Sequence, residues 1–450
     1  MGVWVGKSSR VLLRLVGRRA TSFPGLLALR VSPRLMRRLG RQLRSCTVVT
    51  GTNGKTTTSV MLATVFRSKG PCVHNASGAN LRQGLMNALI TSADWRGRLR
   101  ADRAVFEVDE ATLPLVAADL PIDFVAVTNV FRDQLDRYGE IDTALQLIID
   151  GIRRTRATAV LNADDPLARH IGLRCGRPTV YFGMARQLAR PPEREQTRDG
   201  EACLRCGHRL RYDGYFYGQL GLYWCSHCRF ARPPLDFTGL YDGTALHVTE
   251  GRSGPETYEL PVRGLFNAYN ALCAIAVARL NGFRPAEIAA ALKRYRGPAG
   301  RMQVFATEPV SILSLIKNPA GCDSILQAIC REPGPKVLCV AINDRAADGR
   351  DVSWLWDADW ELVPERCGVA QCVTTGTRAE DMAVRLKYAG YPTGRIETTP
   401  DLEDGIRRAL RAARALGGLP VHVLTTYTAL HEAARILESL AAEAAAPERP

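Results

Sequence analysis

Apolar residues in the first half of the chain follow two alternating patterns, short β-branched runs and longer segments with helical spacing. The runs recur between residue 46 and about residue 183, and segments of helical periodicity separate them. Alternation of this kind is typical of a doubly wound parallel sheet. We therefore predict strands at residues 46–50, 104–108, 124–128, 157–161 and 179–182.

A second alternating region follows a break in the pattern. Helical spacing over 267–280 and 285–295 ends at the Gly/Pro-rich turn 296–300, which indicates a domain boundary. Beyond it we predict strands at 311–316, 336–342, 370–374 and 421–425, and helices at 320–331, 378–389 and 429–441. The predicted organisation is a helical arm (1–45), a central α/β domain (46–298) with an insert at about 201–230, a smaller C-terminal α/β domain (299–442) and a frayed tail (443–450).

The net charge of the chain is concentrated at its N-terminus. The 450 residues carry a formal charge of +15, but residues 1–45 hold eleven Lys or Arg and no acid, and the first acidic residue is Asp94. The rest of the chain is close to neutral, which argues against a general nucleic-acid-binding surface. A hydrophobic content of 46% is enough for two or three separate cores.

The basic arm contains no apolar run approaching the roughly 20 residues that a membrane-spanning helix needs. Its short apolar stretches fit either amphipathic helices packed on the body of the protein or contact with an anionic inner-leaflet surface. The arm fits a secretory signal poorly, so we expect the thirteen cysteines to be reduced thiols and metal ligands. We expect a cytoplasmic protein, either free or peripheral to the inner face of the membrane.

A glycine-rich turn directly follows the first predicted strand and leads into a helical segment. Its residues are Gly51, Thr52, Asn53, Gly54, Lys55, Thr56 and Thr57, which we call the phosphate loop. The glycines let backbone N–H groups converge on phosphate oxygens. Lys55 can then reach the β and γ phosphates, and the Thr56 hydroxyl is placed to bind Mg²⁺. The loop therefore predicts nucleotide binding, although its two glycines are closer together than in a standard P-loop.

Several segments together resemble the Mur ligases and the folylpolyglutamate synthases. The phosphate loop belongs to a T-G-T-N-G-K-T-T segment, and residues 128–136 resemble a T-N-x-x-x-D-H-L-D segment, with Gln134 where histidine is usual. N-A-D-D-P at 162–166, G-L-F-N-A-Y-N at 264–270 and G-R-M at 300–302 also match. The resemblance implies a Mur ligase-type ATPase domain, Mg²⁺ held by Thr56 and Glu107, and adenine contact at Asn267.

Two C-x-x-C pairs, separated by eighteen residues, interrupt the central domain. They are Cys203, Cys206, Cys225 and Cys228. Four thiolates at this spacing are typical of a zinc ribbon, in which the metal holds a loop that lacks its own core. Because sulfur would fill all four positions, we expect a structural Zn²⁺ site.

The C-terminal region departs from the amino-acid-adding Mur ligases. Residues 317–321 read K-N-P-A-G where those enzymes have an acidic residue and a histidine, and residues 343–357 read N-D-R-A-A-D-G-R-D-V-S-W-L-W-D. Combined with the cysteine pairs, these segments resemble the MurT subunits of lipid II isoglutaminyl synthases. We predict that Arg301, Lys317 and Asn318 contact the nucleotide, with Arg301 or Lys317 offsetting charge on the transferred phosphoryl group.

The same resemblance implies a reaction shared by two subunits. This chain would use ATP to activate the α-carboxylate of D-glutamate in the lipid II stem peptide as an acyl phosphate, and ammonia would convert it to D-isoglutamine. A GatD-type glutaminase in a heterodimer would supply the ammonia, since no cysteine here lies in a G-x-C-x-G turn. Asp351 is the predicted catalytic aspartate. Asp344 and Asp348 stay close alternatives, as does a helix-capping role for these acids.

Three other functions stay open. An amino-acid-adding Mur or folylpolyglutamate-type ligase is disfavoured by the altered C-terminal residues and the cysteine pairs. A zinc-ribbon nucleic-acid-binding NTPase is disfavoured by the near-neutral body, so no nucleic-acid partner is expected. A nucleotide-binding scaffold without catalysis is disfavoured by the presence of Lys55, Thr56 and Glu107. Residues 75–87, which are rich in Gly and Asn, are a candidate substrate loop.

Overall fold

The computed structural model describes residues 1–16, 21–75, 79–131, 141–191, 200–297 and 299–445. The chain folds as two compact units that divide between Arg296 and Gly297. Each unit is an α/β structure built on its own largely parallel sheet, as predicted. Within these ranges no helix has the length and apolarity needed to cross a membrane.

The described part of the first unit contains a nine-stranded sheet in the order β11-β10-β9-β6-β5-β4-β1-β3-β2. The seven strands from β2 to β9 in this order are parallel, and β10 and β11 extend the sheet antiparallel. The strands are β1 (Ser45–Thr50), β2 (Cys72–His74), β3 (Arg103–Glu107), β4 (Phe124–Val127), β5 (Thr158–Asn162), β6 (Thr179–Met184), β9 (Phe237–Tyr241), β10 (Ala245–Glu250) and β11 (Glu256–Glu259). A separate hairpin is formed by β7 (Arg211–Tyr217) and β8 (Leu220–Trp224).

Helices of the first unit cover this sheet and form the N-terminal arm. Those of the arm are α1 (Gly2–Leu15), α2 (Phe23–Val31) and α3 (Leu35–Gly40). The others are α4 (Lys55–Arg67), α5 (Arg82–Ser92), α6 (Leu113–Val116), α7 (Ile141–Arg153), α8 (Pro166–Arg174), α9 (Leu265–Leu280) and α10 (Pro285–Leu292). Helix α1 packs on α2, and α2 packs on α5. The contact between α2 and α5 is close, because a Cβ at Gly25 would lie 1.9 Å from Gln83 O.

The second unit contains a sheet in the order β12-β13-β17-β14-β15-β16, in which only β12 runs antiparallel to its neighbour among the described strands. Its strands are β12 (Arg301–Phe305), β13 (Ser311–Leu315), β14 (Lys336–Ala341), β15 (Val369–Thr375), β16 (Ile396–Thr398) and β17 (Val421–Thr425). Its helices are α11 (Pro319–Arg331), α12 (Trp354–Asp357), α13 (Leu362–Glu365), α14 (Ala379–Tyr388), α15 (Leu402–Ala415) and α16 (Tyr427–Ala445).

Three expectations need correction. The candidate substrate loop 75–87 is helical from Arg82 onward, and residues 76–78 lie outside the described residues. The last helix runs to Ala445, past the predicted start of the tail, and residues 446–450 are not described. Cys330 and Cys367 form a disulfide, so the expectation of reduced thiols is wrong for this pair. Tertiary packing joins these cysteines across 37 positions, and sequence spacing gives no sign of it.

Candidate functional site

Both glycines of the phosphate loop are required by its shape. Gly51 and Gly54 have φ angles of +115° and +83°, a region that residues with a Cβ rarely adopt. A Cβ at Gly51 would lie 2.6 Å from Asn129 O, and one at Gly54 would lie 2.0 Å from Asn270 Oδ1. The chain thus turns sharply from β1 into α4. Because the first N–H groups of a helix lack an intrahelical acceptor, this turn offers donors to a phosphate.

The segment after β4 holds the phosphate loop in place. Asn129 O accepts a hydrogen bond of 2.9 Å from Thr52 N, and Asn129 Oδ1 accepts one of 2.9 Å from Asn53 N. The Thr128 hydroxyl donates to Asn53 O at 2.7 Å. Thr52 Oγ1 accepts from Phe131 N and donates to Phe131 O. The T-N motif therefore shapes the loop. Residues 132–136 of the same motif, including Gln134, lie outside the described residues.

Lys55 begins α4 and turns back over the phosphate loop. Its Nζ atom lies 2.5 Å from Gly51 O and 3.3 Å from Thr52 O. It also forms an ion pair with Glu110, at 3.1 Å between Nζ and Oε1, and both side chains are largely buried. Glu110 was not predicted as a site residue, although its position just after β3 was a signal for it. A phosphate bound in the loop would compete with Glu110 for the ammonium group.

Glu107, the second predicted Mg²⁺ ligand, ends β3 and is buried. Its backbone lies opposite Val49 of the neighbouring strand β1. The Asn75 side chain forms two hydrogen bonds with the backbone of Glu107. Asn75 Oδ1 accepts from Glu107 N at 2.9 Å, and Asn75 Nδ2 donates to Glu107 O at 2.8 Å. Glu107 ends β3, and Thr56 lies in the first turn of the helix that follows β1. Both are therefore at the carboxyl ends of adjacent parallel strands, where ligands of α/β proteins bind.

The first turn of α9 is tied to the start of α4. Asn267, the predicted adenine residue, is buried and donates from Nδ2 to Arg263 O at 2.7 Å. Asn270 donates to Asn267 Oδ1 at 3.4 Å and accepts from the Thr58 hydroxyl at 3.4 Å. Among the described atoms, Thr57 Oγ1 is buried without a hydrogen-bond partner. A buried hydroxyl of this kind fits a loop that binds a polar ligand.

Asp164 and Asp165, which follow β5, connect neighbouring segments through hydrogen bonds and an ion pair. Asp165 accepts hydrogen bonds from Val130 N at 2.7 Å and Leu167 N at 3.0 Å, and it caps α8. Asp164 forms an ion pair of 2.5 Å with Arg232. Burial raises the pKa of Asp165 to about 6, against the opposing effect of its hydrogen bonds. The N-A-D-D-P segment therefore positions the chain after β4.

The four predicted metal-binding cysteines lie together. Their Sγ atoms are all within 4.8 Å of one another. Cys203 and Cys228 are 3.4 Å apart, and Cys206 and Cys225 are 3.6 Å apart. A tetrahedral zinc ion with Zn–S bonds of about 2.3 Å spaces its sulfurs by about 3.8 Å. The donor set and the spacing both fit such an ion.

The hairpin β7–β8 connects the cysteines to the strand ends of the main sheet. The Tyr223 hydroxyl donates to Ala163 O at 3.0 Å, and Gly221 N donates to Asp164 O at 2.9 Å. Gln219 Nε2 donates to Asp165 Oδ1 at 3.0 Å. These partners are more than fifty positions apart in the chain, so the sequence did not reveal them.

Three nucleotide contacts were predicted in the second unit. Arg301 begins β12 and pairs with Ser314 of β13. Lys317 and Asn318 follow β13, and Asn318 Oδ1 accepts from Gly321 N at 2.8 Å, which caps α11. Asn318 thus has a structural role of its own. The nucleotide contacts of Arg301, Lys317 and Asn318 stay predictions.

The three candidate aspartates have different surroundings. The hydrogen bond from the Thr377 hydroxyl, followed by that from the Arg378 guanidinium at 2.9 Å, lowers the pKa of Asp344. Asp348 is buried and accepts hydrogen bonds from both the backbone N–H and the hydroxyl of Thr428, at 2.7 and 2.5 Å. Asp351 is exposed and accepts one bond of 2.8 Å from Ser353 N, which lowers its pKa. Asp351 is therefore the most accessible of the three carboxylates.

Comparison with known proteins finds two matching families and a relative that is similar over nearly the whole chain. The family described as Mur ligase middle domain matches residues 49–206, and that described as MurT ligase C-terminal matches residues 315–430. The chain is 34% identical over 443 residues to the lipid II isoglutaminyl synthase (glutamine-hydrolyzing) subunit MurT of Staphylococcus aureus strain COL, covering 97% of each protein.

Solved structures share the fold at low sequence identity. A pseudomurein peptide ligase type C from Methanothermus fervidus matches with a TM-score of 0.67 and 20% identity, over 90% of this chain and 80% of that one. MurF ligase from Thermotoga maritima, in complex with ADP, matches with a TM-score of 0.62 and 16% identity, over 93% and 85%. The predicted Mur ligase-type fold is thus confirmed. With its full-length similarity to MurT, the chain belongs to the Mur ligase family and, within it, to the MurT subunits of lipid II isoglutaminyl synthase.

Proposed function

We propose that this chain is the ATP-dependent synthetase subunit that amidates the α-carboxylate of D-glutamate in the lipid II stem peptide, giving D-isoglutamine. The observation that carries the proposal is the phosphate loop, in which two sterically required glycines and Lys55 surround a helix N-terminus. The similarity to MurT over nearly the whole chain supports the choice of substrate.

The proposed chemistry converts an inert carboxylate into an acyl donor. A carboxylate oxygen attacks the γ-phosphorus of ATP, the bond to the ADP oxygen breaks, and an acyl phosphate forms. Ammonia then attacks the acyl carbon, phosphate leaves, and a proton is released as the amide forms. Lys55 and the first amides of α4 would stabilise charge on the phosphoryl group during the first step.

Thr56 and Glu107 would hold Mg²⁺, because hydroxyl and carboxylate oxygens are the hard ligands that this ion prefers. When bound, the ion would neutralise charge on the phosphates. Glu110 would position Lys55, since it already pairs with the Lys55 ammonium group. Asp351 would act in the second unit as the catalytic aspartate, which its exposure supports.

The four-cysteine cluster would hold a structural Zn²⁺ ion. Its small hydrophobic cluster consists mainly of the cysteines themselves with Leu210, Tyr223 and Phe230, so the metal would supply much of the local stability. Metal analysis of the purified protein, expected to find one zinc per chain, tests this assignment. A chain that folds without bound metal would refute it.

A GatD-type glutaminase would complete the enzyme as the second subunit of a heterodimer. The relative's full name, a glutamine-hydrolyzing synthase subunit, supports a separate source of ammonia. Because lipid II resides in the bilayer, the complex would work in the cytoplasm, peripheral to the inner face of the membrane.

The direct test offers the purified chain ATP, lipid II and a nitrogen source. With ammonium, we expect a product in which one hydroxyl of the stem peptide is replaced by an amino group. Glutamine should replace ammonium only after the glutaminase is added. Mass spectrometry distinguishes this product from one that carries an added amino acid, which would instead support an amino-acid-adding ligase.

A further inference from the structure

Helix α1 packs on the body of the first unit through its smallest residues. Gly2 and Gly6 are buried in this contact. A Cβ at Gly2 would lie 2.8 Å from Ser32 Cβ, and one at Gly6 would lie 2.7 Å from Ile90 Cδ1. Since no larger side chain fits these positions without movement, the glycine face of α1 must be the inward face.

The large apolar side chains of α1 therefore point outward. Trp4, Val11, Leu12 and Leu15 are 58, 50, 61 and 78% exposed, and we call them the α1 stripe. Their spacing places them on one side of the helix. A surface helix of a soluble protein normally turns such a stripe toward the core. In α1 the arrangement is reversed, which marks this side of the helix as an interaction surface.

An exposed aromatic residue from another segment extends the α1 stripe. The rings of Trp4 and Trp95 have centroids 4.9 Å apart, and Trp95 lies in the turn that follows α5. Phe23, at the start of α2, is also exposed. Tryptophan is enriched where a protein meets the headgroup level of a bilayer, because its ring is apolar and its N–H is polar.

Positive charge borders the α1 stripe. Lys7, Arg10 and Arg14 lie three and four positions apart on the flank of the same helix. Burial, followed by the nearby Arg10 and Arg100 guanidinium groups, lowers the pKa of Lys7. No acid occurs before Asp94. The N-terminal arm would therefore attract an anionic surface along its whole length.

We propose that the α1 stripe docks on an anionic lipid bilayer, with its apolar side chains among the headgroups and acyl chains and the flanking cations at the lipid phosphates. This combination of an apolar face and basic flanks is the pattern by which helices lie in a membrane interface. The inference rests on the proposed function in one respect, since a lipid-linked substrate gives the docking its purpose. Docking itself needs no substrate and is measured without one.

Vesicle flotation of the full chain tests the proposal. The vesicles contain either phosphatidylcholine alone or equal parts of phosphatidylcholine and phosphatidylglycerol. We expect the wild-type chain to favour the anionic vesicles at least about tenfold. The double variant Leu12→Glu/Leu15→Glu should lose at least about tenfold of this binding. Leu115→Glu/Leu173→Glu, which changes equally apolar and exposed positions elsewhere in the unit, should bind as the wild type does.

Other outcomes would overturn the proposal. They are equal binding to both vesicle types, no binding at all, or unchanged binding of Leu12→Glu/Leu15→Glu with an unchanged melting temperature. Loss of copurification with the glutaminase in the same variant would instead identify the α1 stripe as a protein interface. The rate of amidation of a soluble stem peptide should be equal in the wild type and in Leu12→Glu/Leu15→Glu. This measurement separates the docking proposal from the proposed function. Failure of that reaction in both counts against the proposed function alone.

Discussion

The phosphate loop and the acidic segment 343–357 occupy similar places in the two units, yet their chemistry depends on different parts of the chain. Each follows a central parallel strand, β1 in the first unit and β14 in the second. In the phosphate loop, backbone amides and two glycines define the site. In the acidic segment, three chemically identical carboxylates differ in their burial and in their hydrogen-bond partners. A local motif can therefore indicate a backbone site, whereas the fold is needed to distinguish between identical side chains of one segment.

The largest expected effect comes from Lys55→Ala in the phosphate loop. Removing one positioned cation from a phosphoryl-transfer site should lower kcat for amidation by about 100- to 1,000-fold. Lys293→Ala, at an exposed lysine paired with Glu259, is the matched control and should retain activity. Steady-state kinetics with lipid II and ammonium provide the measurement. Comparable rates for the two variants would remove the phosphate loop from the mechanism.

In the acidic segment, Asp351→Asn should lower amidation by about 100-fold, since it removes the accessible carboxylate. Asp344→Asn should stay within about threefold of wild type and cost less than about 1 kcal/mol, because its partly exposed ion pair contributes little. Amidation rates and urea unfolding of both variants check this. Full activity of Asp351→Asn, together with an inactive Asp344→Asn, would reverse the assignment.

A smaller effect is expected from Gly54→Ala. The new Cβ would clash with Asn270 Oδ1 and would occupy a left-handed conformation, so we expect KM for ATP to rise by about tenfold and stability to fall by about 1–2 kcal/mol. Gly282→Ala carries the same conformational cost at φ +80°, but its Cβ meets open space. It should therefore lower stability without changing KM. Equal KM values in the two variants would show that loop geometry is not limiting.

The strand end after β5 should show a stability effect instead of a catalytic one. Burial raises the pKa of Asp165 from 3.8 to about 6, so the folded protein binds this proton more tightly than the unfolded chain does. The contribution of Asp165 to stability is then greatest below pH 3.8 and falls, by about 3 kcal/mol, as the pH rises to 6. Asp165→Asn should remove this slope from the pH dependence of urea unfolding. A slope unchanged from wild type would mean that Asp165 ionises normally.

Local patterns explain which parts could be predicted. Strands such as β1 and β17 are short apolar runs, and the four cysteines stand in two local pairs, so both were found. Helix α15 was missed, although Leu402, Ile406 and Leu410 repeat at four-residue spacing and are buried. The antiparallel pairing of β10 with β9 and β11 was not predicted, because pairing direction is not a local property.

Long-range contacts explain what the sequence could not reveal. Glu110 reaches Lys55 across 55 positions, and Gln219 reaches Asp165 across 54. The outward face of α1 was equally hidden, because the apolar pattern of a helix does not state which side is buried. Only the close packing of Gly2 and Gly6 decides it.

Trapping the activated carboxylate tests the central claim most directly. The chain is incubated with ATP, Mg²⁺ and stem peptide without ammonia, and hydroxylamine is then added to intercept the acyl phosphate. The account predicts a hydroxamate at the D-glutamate α-carboxylate, one phosphate released for each hydroxamate, and a rate of hydroxamate formation at least about 100-fold lower with Lys55→Ala. Amidation that proceeds in the same preparation without any trapped hydroxamate, or equal trapping by Lys55→Ala, would contradict it.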